Sequence, residues 1–470
     1  MTALATRCLG EKCLLERLGK PGHERGSLSV FDAITIMVGL VIGIGIFRTP
    51  SIVAANVGNE FVFIAVWLAG GLVTLIGALC YAELAAAHPH AGGEYHFLAR
   101  AYGKPVAMFF GWARGAVIQT GAIAGVAFVM GDYAAQLLPL GAYGPALYAA
   151  MAIILFTSIN VAGTFQSKVL QISVTFVEVG AIVAIIAFGL LGSPETPTPA
   201  PAPGSGGSAL GLAMVFVLLT YGGWTEAAYL TGELDEAPRN IAKVLIIGTA
   251  VISGLYVLTN LALLAILGLD GLRGSEAVAA DMMRQVAGPS GAVVVSIAIV
   301  VAAASTLNAT IFTGARVYYA MAKDLTVLPG VGEWNQRRRN PANGLIAQAI
   351  VALALVGVGA ATRNGFEAMV EYTAPVFWGF LLLVGAGLIV LRIREPDRIL
   401  PYRVPLYPLI PALFCLTCGY MLYASIAYTG LASLVGVAVL AAGAPLLLFR
   451  RKEAVGDVNT SARPAFPSID

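Results

Sequence analysis

Charge is scarce in this chain: acidic and basic residues together are 11% of its 470 residues, against about 25% in an ordinary globular domain. With 58% of the residues apolar, a water-soluble globule has too few charged side chains to cover its surface. Histidine is down to four residues, and the five cysteines, Cys8, Cys13, Cys80, Cys415 and Cys418, have no histidines at metal-ligand spacing. They read as apolar filler, so neither a metal nor any other cofactor is expected. No HExxH, GxSxG or Walker lysine motif occurs, and no polar stretch is long enough for a sizeable soluble domain. Enzyme chemistry therefore has no foothold. The basic residues form no block long enough for nucleic acid, and no repeated filter or ring of charges suggests a channel. The opening MTALATRCLGEKCLLERLGK has no apolar core between its charges and does not read as a cleaved signal peptide.

What the chain does have is length in apolar runs. About 20 residues of helix cross the hydrocarbon of a bilayer, and twelve such runs are expected: 31–55, 61–87, 103–138, 144–162, 168–192, 209–232, 240–268, 290–321, 342–361, 366–392, 406–428 and 430–449. Lysine and arginine fall on alternate loops. One side carries the first 30 residues, Arg100, Lys104, Lys168, Arg239, Lys243, Lys323, Arg337 to Arg339, the arginines from Arg392 to Arg403, and those after Leu448. The other keeps only Arg273, Arg284 and Arg363. By the positive-inside rule both termini are expected in the cytoplasm, most simply across a bacterial inner membrane.

Residues 193–208, SPETPTPAPAPGSGGS, are the one low-complexity stretch and read as an external linker. They divide a first unit, 31–192, from a second, 209–392, leaving 393–449 as two further helices between tails at 1–30 and 450–470. Five spans, a spacer and five more is the layout of inverted repeats. The first span holds GLVIGIGIF at 39–47, and the sixth echoes it with LTYGGWTEA at 219–227. Glycine costs about 1 kcal/mol relative to alanine inside a helix, so glycine clusters at matching depth predict two unwound segments. Unwound backbone is tolerated at membrane depth where it lines water or a ligand. Bare amides there suit a carboxylate and bare carbonyls an ammonium. Close helix approach through Gly39 and Gly43 is the competing explanation of the first cluster.

Several motifs in order, GLVIGIGIFRTP (39–50), YAELAAAHPHAGGEYHFLARAYG (81–103), FGWARG (110–115), YGGWTEAAYLTGELDEAPRNI (221–241), STLNATIFTGARVYYAMAKD (305–324) and EPDRILPYRVPLYPLIP (395–411), resemble the amino acid/polyamine/organocation superfamily, closest to its L-type amino acid transporter branch. The resemblance implies an all-α membrane protein of twelve transmembrane helices with the LeuT-like five-plus-five inverted repeat. It places the substrate carboxylate at amides of Gly43, Ile44 and Gly45, and the amino group at carbonyls of Val41, Ile42, Leu219 and Thr220. Tyr221, Gly222 and Trp224 join that pocket. Ile44 and Leu219 depart from the family, whose members often carry a serine and an aromatic residue there.

The same comparison puts a lysine of many relatives at Glu178, reversing the charge beside the expected ion site at Ser305 and Thr306. A buried carboxylate there suits a proton, Na+ or a cationic substrate, while pairing with Arg114 is the structural alternative. Glu83 and Arg316 are expected to tie helices at an inner gate. Glu226 reads equally as a neighbour of the substrate ammonium or as structural. Glu233 and Arg239 are expected to fix the connection after the sixth span, where Pro238 stops the helix. His88, His90 and His96 read as a solvated loop cluster. The expected activity is secondary transport of neutral or diverse L-amino acids, by proton symport or exchange. A cationic amino acid or polyamine is the alternative substrate, a receptor or channel the alternative class, and the oligomeric state is left open.

Overall fold

An apolar segment in hydrocarbon has no hydrogen-bond partner but itself, and a helix is the one local structure that pairs every interior N–H and C=O within a single segment. The computed structural model describes residues 28–90, 92–163, 168–191, 210–232, 236–324, 340–362, 364–398, 400–428 and 431–445, with Leu234 and Gly330. Among the described residues it is helical apart from turns and one isolated bridge between Leu28 and Leu234. The expected linker at 193–208, Glu233 and nearly all of both tails lie outside the described residues.

The first apolar run forms three pieces: α1 (Val30–Val41), a 3-10 turn (Ile44–Phe47) and α2 (Thr49–Ala55). Ser29 and Asp32 start α1 with a reciprocal capping box at 3.2 Å in each direction. Asn59 caps the next helix, α3 (Glu60–Ala87), by accepting from the Val62 amide at 2.9 Å. A short α4 (Gly93–Tyr102) follows, then α5 (Lys104–Ala113), a π-turn (Arg114–Gln119) and α6 (Thr120–Leu137) in one continuous rod. Next come α7 (Gly144–Ala162) and α8 (Lys168–Leu191), then α9 (Leu210–Thr220) with a second 3-10 segment (Trp224–Gly232). Finally come α10 (Ala237–Arg273), α11 (Val278–Asp324), α12 (Ala342–Thr362), α13 (Gly365–Arg394), α14 (Leu409–Ala427) and α15 (Leu431–Ala442).

Among the described residues, ten helical segments are long and apolar enough to cross a membrane, and two shorter apolar helices lie at the first and last expected spans. Their outward faces carry large apolar side chains, such as Phe61 at 81% exposure and Leu416 at 72%. Helices that are apolar on every side suit lipid rather than water. Inside, α10 lies along α3 and α1, and α11 along α6, so the broken first segment sits at the centre of the bundle.

Two sequence expectations change here. Pro238 does not stop a helix but opens α10 from its first turn, where a missing N–H costs nothing. The stretch before Lys104 is not loop throughout, since Gly93–Tyr102 is helical.

A candidate substrate site at two interrupted helices

The α1 helix ends at Val41 because the chain turns at Ile42 and Gly43, and the Gly43 amide folds back on the Val41 carbonyl at 2.5 Å. The 3-10 turn that follows has no side-chain cap. The Gly45 amide, in the first turn of this segment, has no acceptor among the described residues. The second interruption runs through Tyr221, Gly222 and Gly223, with Gly223 at φ +98°, a left-handed conformation that favours glycine.

The breaks touch. A Cβ placed on Gly223 would lie 2.7 Å from the Leu40 carbonyl, and one on Gly45 would lie 3.2 Å from the Thr220 side chain. Thr49 and Thr220 place their hydroxyls 2.6 Å apart. Thr220 already donates to the Phe216 carbonyl at 2.8 Å, which leaves Thr49 as the donor between them. From α10, the Tyr256 hydroxyl donates to the Val41 carbonyl at 2.7 Å, with the Thr220 carbonyl 3.4 Å away as its alternative. Tyr256 thus spans the carbonyl ends of both interrupted helices. Gly43, Gly45, Leu219, Gly222 and Gly223 keep partial exposure, while Val41, Ile42, Thr220 and Ile46 around them are buried.

Tyr221 and Trp224 turn their rings away from the first break. Tyr221 donates to the Trp67 carbonyl at 3.1 Å, and Trp224 meets Tyr81 edge to face at 4.8 Å between centroids. Both rings pack on glycines of α3, at Gly70 and Gly77. Gly39 likewise takes the close-approach part of its cluster, lying against Thr175 of α8, whereas a Cβ on Gly43 would meet only the Val41 carbonyl at 3.8 Å.

Glu178 is one helical turn beyond Thr175 and is buried at 4% exposure. It faces Thr306 of α11, and among the described residues it forms no ion pair. Ser305 and Thr306 stand half-buried on α11. Arg114, the partner considered for Glu178, is engaged elsewhere: it meets Glu94 at 3.0 Å and also Glu226. The α4 helix decides that pairing by delivering Glu94, whose carboxylate also accepts from the Tyr81 hydroxyl at 2.7 Å. One guanidinium thus faces two carboxylates, so Glu226 is held by Arg114 while the group keeps an excess of negative charge.

Glu83 is almost wholly buried and binds Arg392 through two bonds of 2.6 and 2.5 Å, while accepting from the Val404 amide at 2.6 Å. It therefore ties α3 to α13 and to the loop beyond it. The Arg316 side chain lies outside the described residues. Arg239 pairs with Glu236 at an exposed helix start. The solvated reading of the histidines fails for His88, which is buried at 4% exposure, while His90 and His96 stack at 4.3 Å. Burial, then the nearby Arg398 and Arg100, lower the His88 pKa to about 4; burial, then His90, Arg100 and Arg398, do the same to His96.

Sequence reasoning passed over Tyr256, Thr49, Glu94 and Arg392. Only Arg392 left a signal, as a cation near the end of an apolar run.

A family model described as amino acid permease matches residues 28–447. The chain belongs to that family. Among its relatives, the human b(0,+)-type amino acid transporter 1 is 28% identical over 434 residues, covering 90% of this chain and 88% of its own. The human cystine/glutamate transporter is 26% identical over 438 residues, covering 90% and 86%. The serine/threonine exchanger SteT of Bacillus subtilis is 26% identical over 423 residues, covering 88% and 95%. As an amino acid permease the protein is an integral membrane transporter and not an enzyme.

Proposed function

We propose that this permease carries L-amino acids of neutral or diverse side chain by alternating access around the two breaks. The observation that carries the reading is the pair of interruptions itself: helix-end carbonyls and the uncommitted Gly45 amide brought together at partly exposed glycines. The amides of Ile44 and Gly45 take the α-carboxylate, joined by that of Gly43 when it leaves the Val41 carbonyl. The carbonyls of Val41, Ile42, Leu219 and Thr220 take the α-ammonium, displacing the Tyr256 hydroxyl from one of them. Gly222 and the backbone of Tyr221 and Trp224 complete the second wall. Such a site recognises what all amino acids share and leaves discrimination among side chains to the surrounding helices.

The layout behind this reading is twelve crossings with both termini in the cytoplasm of a bacterial cell, the first five related to the next five by an inverted repeat. Interrupted helices at corresponding places in the two units, and basic loops on one face, support it. Glu178 is the coupling group. A carboxylate without an ion pair deep in a bundle is costly when charged, about 2.5–3.5 kcal/mol on insertion scales, and a proton removes that cost. Proton symport is therefore favoured over Na+ coupling, with exchange as the mode if Glu178 stays protonated throughout the cycle. Glu83 with Arg392, and Arg114 with Glu94 and Glu226, hold the inner side closed.

Reconstituted liposomes test this directly. Preloaded unlabelled amino acid should drive counterflow of labelled alanine or leucine that saturates with concentration, and Glu178→Gln should abolish the dependence of uptake on an imposed pH gradient. Absence of counterflow with every amino acid would defeat the carrier reading. A second reading, cationic amino acid or polyamine transport, rests on Glu178 and on Glu226, which shares its one arginine with Glu94. It wins if Glu178→Gln abolishes arginine or putrescine uptake and leaves alanine uptake unchanged across pH.

A further inference from the structure

The ends of α3 and α13 that the basic loops assign to the cytoplasm enclose a cleft of about 170 Å³ that shares no lining residue with the two breaks. Its lining includes His88, Arg392, Glu395, Arg398 and Arg403. The positive charges are not balanced from within. Glu395 is shared by Arg100 at 2.5 Å and Arg398 at 3.0 Å, and Glu83 is consumed by Arg392 and the Val404 amide. Arg403 is exposed and makes no hydrogen bond or ion pair among the described residues. The remaining carboxylate of the loop, Asp397, is exposed and does not line the cleft.

A second observation points the same way. His88 lines the cleft, is nine-tenths buried or more, and leaves its Nδ1 with no hydrogen-bond partner. A buried polar atom without a partner costs about 1–3 kcal/mol, which a bound group would recover. With its proton on Nδ1 the ring is a donor. The cleft thus has guanidinium groups in excess, an unused imidazole donor, and acids already committed to arginines. That donor set suits a tetrahedral oxyanion with several acceptor oxygens.

We propose that this cleft is an anion site for a phosphate group, from either an anionic lipid headgroup or a soluble phosphate compound, with Arg403 as its free arm and His88 as its buried donor. The occupant ties α3, α13 and the 395–404 loop together across the end of the bundle. A lipid source fits the location, since juxtamembrane arginines meet the headgroup region of the inner leaflet.

The test needs neither transport nor a known substrate, so its outcome is separable from the carrier reading. Purified full-length protein in nonionic detergent is titrated with inorganic phosphate against chloride at constant ionic strength, with thermal unfolding as the readout. In parallel it is placed in nanodiscs of phosphatidylcholine with and without phosphatidylglycerol. Stabilisation by several degrees in either arm supports the site, because a ligand of the native state raises Tm by mass action. Phosphatidylglycerol acting alone identifies a headgroup, and phosphate acting in detergent identifies a soluble anion. Arg403→Gln should raise the half-saturating concentration, or the phosphatidylglycerol fraction needed, at least tenfold, while Arg239→Gln, an exposed arginine elsewhere, should leave it unchanged. No stabilisation in either arm, or equal losses in the two variants, overturns the proposal.

Discussion

The two interruptions look alike as sequence, paired glycines in an apolar run, yet the glycines do different work. Gly223 has a positive φ and its missing Cβ would collide with the Leu40 carbonyl, so it is there because the fold leaves no choice. Gly43 has φ −71°, which any residue adopts, and nothing nearer than 3.8 Å to a Cβ. The fold does not need a glycine at 43. What remains is room beside bare amides, and the difference teaches that one break holds the other in position while the first keeps space for a ligand.

The contrast can be broken most forcefully at the second break. Gly223→Ala adds left-handed strain of about 1–2 kcal/mol and an overpacking cost of about 1–3 kcal/mol against Leu40. It should lower the thermal unfolding midpoint by several degrees and abolish uptake. An unchanged midpoint would mean that the second break tolerates side chains and that its glycines are not structural.

Much of this was legible in the sequence, for identifiable reasons. Apolar length dictates helices, so α3, α7, α8 and α12 occupy the expected runs almost residue for residue. Glycine pairs dictate where the first and sixth runs break, because no other composition explains them at that depth. Pairings in space were not legible. Arg114 offers no clue in one dimension that Glu94, on a short helix between spans, will reach it. Tyr256 in an apolar helix reads as packing, and only the fold turns its hydroxyl onto Val41. His88 follows a run of alanines and reads as loop, yet the bundle end closes over it. The inverted repeat and the membrane orientation rest on the glycine echo and the basic loops, and both stand as proposals.

A gentler probe acts where the breaks meet. Tyr256→Phe removes the hydroxyl that donates to Val41 but leaves the Gly43 amide on the same carbonyl, so a loss of about 1 kcal/mol is expected. Unfolding by denaturant in mixed micelles measures it. A loss as large as that of Gly223→Ala would show that Tyr256, not glycine geometry, holds the two breaks together.

A control that leaves stability at neutral pH untouched and acts only in acid involves neither break. With His88 and His96 lowered to about 4 from an ordinary 6.5, the unfolded chain binds protons between those values that the folded chain does not. Stability should therefore be unaffected above about pH 6.5 and fall as pH drops toward 4. His88→Asn should flatten that slope in a pH series of unfolding midpoints. The gap between Gly43→Ala and Gly223→Ala should persist across the series, since neither break contains a histidine.

The central claim is that exposed peptide groups beside Gly43 bind the amino acid. The most direct measurement is ligand-induced thermal stabilisation of wild type and Gly43→Ala, using an L-amino acid that the wild type binds and its amide, which lacks the carboxylate. The account predicts that both proteins unfold at the same midpoint without ligand, that the acid stabilises wild type alone, and that the amide stabilises neither. Equal stabilisation of both proteins by the acid, or of wild type by acid and amide alike, would contradict it.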